Sequence, residues 1–172
     1  MKFLILPFLF LFINTVIAQG DIIIIGNGYA FTVSDPGGWT RDMRNAKNIY
    51  ANVLYHPIGK GISVNTTMIL VTLVKKKGDG IYIMMENEMS DYMKEKPDVQ
   101  YEVLEIPHTE YITNSQCAYI KGDFYHYATY IDPGEDIKHG LSIVMMVPRD
   151  KANAGEMDVY KDIISSMVVH PR

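Results

Sequence analysis

Four consecutive isoleucines followed by Asn-Gly, in "IIIIGNGYAF" (Ile22 to Phe31), restrict this chain more than any other stretch. β-branched side chains favour a pleated strand, and Asn27-Gly28 supplies two residues that tolerate positive φ, as a two-residue hairpin turn requires. Gly26-Asn27-Gly28 also resembles the opening of a dinucleotide-binding loop. That fingerprint needs a third Gly or Ala three places after Gly28, where a helix packs close to the strand, and Phe31 stands there instead. An acid should follow some 20 residues on, yet the chain reads "NAKN" from Asn45 to Asn48. The stretch is predicted to be a hairpin, not a phosphate loop.

The period-two signal continues downstream. In "YAFTVS", Tyr29, Phe31 and Val33 share one face, and "DPGGW" (Asp35 to Trp39) spells a turn. "IYANVLY" (Ile49 to Tyr55) reads as a strand stopped at His56-Pro57. "TMILVTLV" (Thr67 to Val74) reads as a central strand buried on both faces. The period then becomes helical: Ile81, Met84, Met85, Met89, Tyr92 and Met93 recur at steps of three and four between Asp79 and Pro97, a spacing that predicts core packing. "YEVLEI" (Tyr101 to Ile106), two strands around Lys121-Gly122-Asp123, and "GLSIVMMVP" (Gly140 to Pro148) are the remaining strands. A last helix carries Met157, Tyr160, Ile164, Met167 and Val168 on one stripe. Antiparallel strands with one central and one C-terminal helix predict an α+β fold.

The N-terminus predicts the compartment. Lys2, the apolar run "FLILPFLFLFI" and the small residues Val16 and Ala18 form a secretory signal peptide with cleavage expected after Ala18. Its apolar core falls short of the roughly 20 residues that a membrane span needs. Residues 1–18 are thus the signal peptide and 19–172 a single domain, exported to a periplasm or secreted, with no integral membrane segment. A chain of about 150 residues buries roughly 70% of its unfolded surface and needs no staples. None is on offer, because Cys117 is the sole cysteine and is expected to be a buried, inert thiol. The exported part has 20 acidic and 15 basic residues. Only Lys75 to Lys77 cluster, at a strand end where they are expected to be solvated, so nucleic acid is not an expected partner.

No constellation spells a reaction. The histidines His56, His108, His126, His139 and His170 lack the close spacing of zinc ligands, and no metal or other cofactor is expected. There is no Gly-x-Ser-x-Gly elbow, and Glu86 and Glu88 fall on the solvent side of a helix. Tyrosine is the one excess, with 12 in the chain. Tyr125 and Tyr127 share a strand face, and Trp39 follows a turn where its indole can lie over the end of the sheet. Trp39, Tyr125 and Tyr127 are therefore the expected ligand-binding residues, with no catalytic residue assigned. For the two tyrosines the alternative is that they lie between sheet and helix, and for Trp39 that it plugs the core.

In order, these pieces resemble the PsbP-like family, relatives of the extrinsic PsbP protein of photosystem II. "YAFTVSDPGGW" resembles its Phe-x-Val…Pro-x-Gly-Trp opening, and "ANVLYHPIG" a strand ending in Tyr-Pro-x-Gly, with His56 inserted before the proline. "TMILVTLVKKKGDGIYIMMENEMSDYMKEKPDVQ" is similar to its strand, lysine-bearing turn and central helix. "AYIKGDFYHYATYID" resembles its hairpin and "MDVYKDIISSMV" its closing helix. The resemblance implies a single PsbP-like domain, an α-β-α sandwich with an antiparallel sheet flanked by helices. It implies no established enzyme, since the family includes photosystem accessory proteins, a Ran-binding factor and bacterial exported proteins. The expected function is a non-enzymatic binding or accessory role toward an unknown protein or small molecule. The alternative is a hydrolase with a dispersed active site.

Overall fold

The computed structural model describes residues 20–26, 29–76, 113–151 and 154–171, with Ile83, Glu86, Ser90, Asp91, Met93 and Lys94 between them; for 113–121, 154 and 171 it describes the backbone alone. The stretches expected to form the signal peptide, the Asn27-Gly28 turn and the Tyr101–Ile106 strand, most of the helix expected over 79–97, and His108 lie outside the described residues. The burial of Cys117 does too, although its backbone lies in a strand as expected.

The described elements are mostly strands, in two antiparallel sheets with two helices. β1 (Ile22–Ile25), β2 (Tyr29–Val33) and β9 (Val168–Pro171) form a three-stranded sheet in the order β1-β2-β9. The hairpin is present. Ile25 pairs with Ala30, and the Gly26 N–H donates to the Tyr29 carbonyl at 3.0 Å, which leaves two residues for the turn. β2 continues as strand and then turns, so no helix follows the glycines.

The larger sheet runs β3-β4-β5-β8-β7-β6. Its strands are β3 (Trp39–Arg41), β4 (Val53–Pro57), β5 (Met68–Lys75), β6 (Thr113–Lys121), β7 (Phe124–Asp132) and β8 (His139–Pro148). β5 is central as expected, but it is not buried on both faces: Ile69 and Val71 are enclosed, while Leu70, Thr72 and Val74 on the other face are half-buried. β6 and β7 meet at Gly122-Asp123, where Gly122 takes the positive φ (60°) that closes the hairpin.

Two departures from the expected elements have local causes. The stretch before β4 is not all strand, because α1 (Met43–Asn48) precedes it and β4 starts only at Val53. Asp42 caps α1 by accepting the Asn45 N–H at 2.8 Å, a signal that a six-residue helix is too short to amplify by periodicity. At the other end, α2 (Ala154–Ser165) stops before Val168, which opens β9 and is exposed rather than part of the helix stripe. Tyr160, Ile163 and Ile164 supply the buried face of α2, with Met167 just beyond it.

One core joins all of this. Ile22, Ile24, Tyr29, Phe31 and Val33 of the small sheet, Val53, Tyr55, Ile69, Val71, Ile131, Leu141, Ile143, Met145 and Val147 of the large sheet, and the α2 residues form a single buried cluster. The small sheet and α2 therefore cover the same face of the large sheet. The architecture is α+β, with a sheet and a helix over that face instead of helices alone. On the opposite face α1 packs against β4 and Leu54 is enclosed. The central stretch is helical at Ile83, Glu86, Ser90, Asp91, Met93 and Lys94; Met93, expected in the core stripe, is exposed, and Glu86 is exposed as expected.

Candidate functional site

Trp39 is not at the surface. Its N–H closes the turn onto the Pro36 carbonyl (3.3 Å), with Gly38 at φ 79°, so strand pairing begins at the indole residue itself, opposite Pro57. Strand alternation then turns Trp39 to the core side, where it is 5% exposed. Turn grammar placed the bend correctly but not the face, because which residue starts the pairing is decided by β4.

Tyr125 and Tyr127 share a face of β7 as expected, and it is the core face. Their burial is graded. On the same face Thr129 and Ile131 are fully enclosed, while Tyr127 and Tyr125 are half-buried and pack against the core from its margin. Their cross-strand partners Met145 and Val147 are nearly inaccessible. The two rings thus stand at the rim of the cluster with part of each surface open to solvent. They lie well along β7 from Trp39, which starts β3 at the far edge of the sheet, so the three expected residues do not converge.

Three polar clusters escaped the sequence because each draws in a residue from another strand. Asp35, with its side chain fully enclosed, receives Arg41 Nη2 at 2.5 Å and the Tyr55 hydroxyl at 3.0 Å. Burial, and then the adjacent Asp35 carboxylate, push the Tyr55 phenol well above its ordinary pKa. Arg41 also donates to the Gly20 carbonyl (3.2 Å) and Ser34 to Asp21 (2.8 Å), which ties the start of the described chain to β3 and the end of β2. Lys76, expected to be solvated, instead reaches Asp132 at 2.8 Å and the Gly134 carbonyl at 2.6 Å with both charged side chains largely buried; its neighbour Lys75 is exposed. Asp42 accepts the backbone and side-chain N–H groups of Asn45, which hold its carboxyl below the usual carboxylate pKa, and His56 lies 3.9 Å away.

Two buried polar atoms have no partner among the described residues, the Tyr29 hydroxyl and His139 Nδ1, and their rings are 6.1 Å apart where the two sheets meet. Burial raises the Tyr29 pKa. Of the other described histidines, His170 meets Thr32 at 2.9 Å, His56 meets the Pro57 carbonyl as well as Asp42, and His126 is enclosed on the second face of β7. Among the described residues no three His, Cys, Asp or Glu side chains group as metal ligands. Tyr50, one residue beyond the α1 cap, is almost wholly exposed and holds a left-handed backbone (φ 58°).

With this geometry in hand, the chain can be set beside known proteins. No protein family and no curated protein matches the sequence. The solution structure of cyanobacterial PsbP (CyanoP) from Synechocystis sp. PCC 6803 is similar in fold, with a TM-score of 0.50 over 88% of this chain and 94% of that one, at 12% sequence identity. The chain has a PsbP-like α+β fold, as its strand and turn motifs led one to expect. Among the described residues no helix is long and apolar enough to cross a membrane.

Proposed function

We propose that this chain is an exported, PsbP-like binding or accessory protein that contacts its partner through an aromatic surface including Tyr125 and Tyr127. The observation that carries the reading is the graded burial along β7, which leaves two adjacent phenol rings anchored in the core by one side and open on the other. Rings held this way offer rigid contact area at low entropic cost. Trp39, at the far edge of the sheet, would stand apart from that surface and fix the start of β3. The charged clusters favour binding over the hydrolase alternative, because Asp35 and Asp42 spend both carboxylate oxygens on fold contacts and Asp132 is held by Lys76. Export rests on the signal-like residues 1–18, with cleavage after Ala18, and the α-β-α layering of the family would be completed by the helical stretch that follows β5.

The test is co-purification of partners with the chain from its native envelope, for wild type and for the Tyr125→Ser/Tyr127→Ser pair. Loss of a specific partner with stability reduced by no more than about 2 kcal/mol, as for half-buried rings, supports the proposal. Retention of the same partner by a folded double variant would place the contact elsewhere.

A further inference from the structure

β1 pairs with β2 along one edge, and among the described residues its other edge meets no strand. The hairpin bond determines which backbone groups point outward. Because the Gly26 N–H is directed at Tyr29, the alternating residues Ile24 and Ile22 also turn their hydrogen-bonding groups toward β2. Ile23 and Ile25 therefore present N–H and C=O groups to the open edge. Their side chains lie on the outer face, 61% and 58% exposed, and Ile23 lines up across Thr32 with Val168, itself 45% exposed. Edge strands are normally blunted by lysine, proline or a bulge. Ile22–Ile25 contains neither lysine nor proline, and its four residues pair with β2 without a bulge.

We propose that β1 pairs antiparallel with β1 of a second copy of this chain, about a two-fold axis at Ile24. The register follows from two requirements. Exposed residues must meet exposed ones, because residues directly opposite in an antiparallel pair point to the same face, and only outward-directed backbone groups can bond. An axis at Ile24 satisfies both, since Ile23 of each copy then bonds Ile25 of the other and their side chains form cross-strand contacts. Moving the axis to Ile23 would set Asp21, held by Ser34 at 2.8 Å, against the partner's Ile25. The result joins two three-stranded sheets edge to edge, with an isologous interface.

Charge and area set the strength. The strand carries no charge in a chain of net charge −4, so pairing here brings no charged strand side chains together, and salt, by screening the net repulsion between copies, should strengthen it. One short strand pair covers far less than the roughly 800 Å² per partner of a standard interface, so the dimer is weak and reversible.

Sedimentation of the exported chain over a wide concentration range tests this. The weight-average mass should climb from monomer toward dimer in the upper micromolar to millimolar range, and further at higher salt. Ile25→Pro removes an outward N–H that the β1–β2 ladder does not use, so it should weaken self-association by about tenfold or more while leaving the thermal midpoint nearly unchanged. If that variant fails to fold, Ile23→Lys, with its side chain on the exposed face, decides instead. A wild type that stays monomeric throughout overturns the proposal, and this includes the case in which the edge recruits a strand from another protein. A folded Ile25→Pro or Ile23→Lys variant that dimerises like wild type overturns it as well.

Discussion

The ring of Tyr29 occupies the space that a side chain on Gly26 would need: a Cβ built at position 26 falls onto Tyr29 Cζ, Cε2 and the hydroxyl oxygen. Gly26 is thus required by close approach, ahead of the turn that follows it. Gly26→Ala should destabilise the protein by about 1–3 kcal/mol, since Tyr29 is enclosed and its ring has to shift. Gly37→Ala, where a Cβ meets nothing within 4 Å, is the control and should be nearly neutral. Urea midpoints of the two variants check the difference.

Asp35 is satisfied by two donors of unequal weight. Tyr55→Phe removes the neutral one and should cost about 1–2 kcal/mol, whereas Arg41→Met leaves a buried carboxylate without its counter-charge and should cost about 3–5 kcal/mol. Alkali gives a further reading. The folded phenol holds its proton to higher pH than the unfolded one, so its contribution is complete below the ordinary tyrosine pKa of about 10 and is lost as pH rises above it. Denaturation between neutral pH and strongly alkaline pH should show this loss in wild type, and Tyr55→Phe should reduce it.

Asp42 predicts the opposite limb. Its carboxyl is held low by the Asn45 N–H groups, so its contribution is present above the unfolded carboxylate pKa of about 3.9 and disappears as pH falls through the depressed folded value. Asp42→Ala should cost about 1 kcal/mol at neutral pH through loss of the α1 cap. Asp42→Asn keeps an acceptor for the cap and should mainly flatten the acid side of the stability profile.

Lys75 and Lys76 are adjacent in sequence and differ in consequence. Lys76→Met leaves Asp132 without its ammonium partner in a largely buried setting and should cost about 2 kcal/mol or more. Lys75→Met, at an exposed side chain, should stay within about 0.5 kcal/mol. Thermal melts of the two variants separate the pair.

The sequence by itself determined the strands and turns whose signals are local. The β1–β2 hairpin that Asn27-Gly28 signals, the turn of Pro36-Gly37-Gly38, Gly122 between β6 and β7, and the β-branched run of β5 each depend on a few residues, and each is found where it was read. So was the tyrosine pair on one face of β7, because strand alternation is a property of the backbone. The tertiary structure alone decided which face that was. It also turned Trp39 inward by pairing it with Pro57, and it made an ion pair of Lys76 and Asp132, 56 residues apart. β3 and β9 are short strands that β4 and β2 define by pairing with them, and α1 is a single capped turn and a half with no period to detect. Local propensity writes the elements, while the partner that each edge and face meets is set by packing between segments distant in the chain, and a sequence read residue by residue carries no record of those distances.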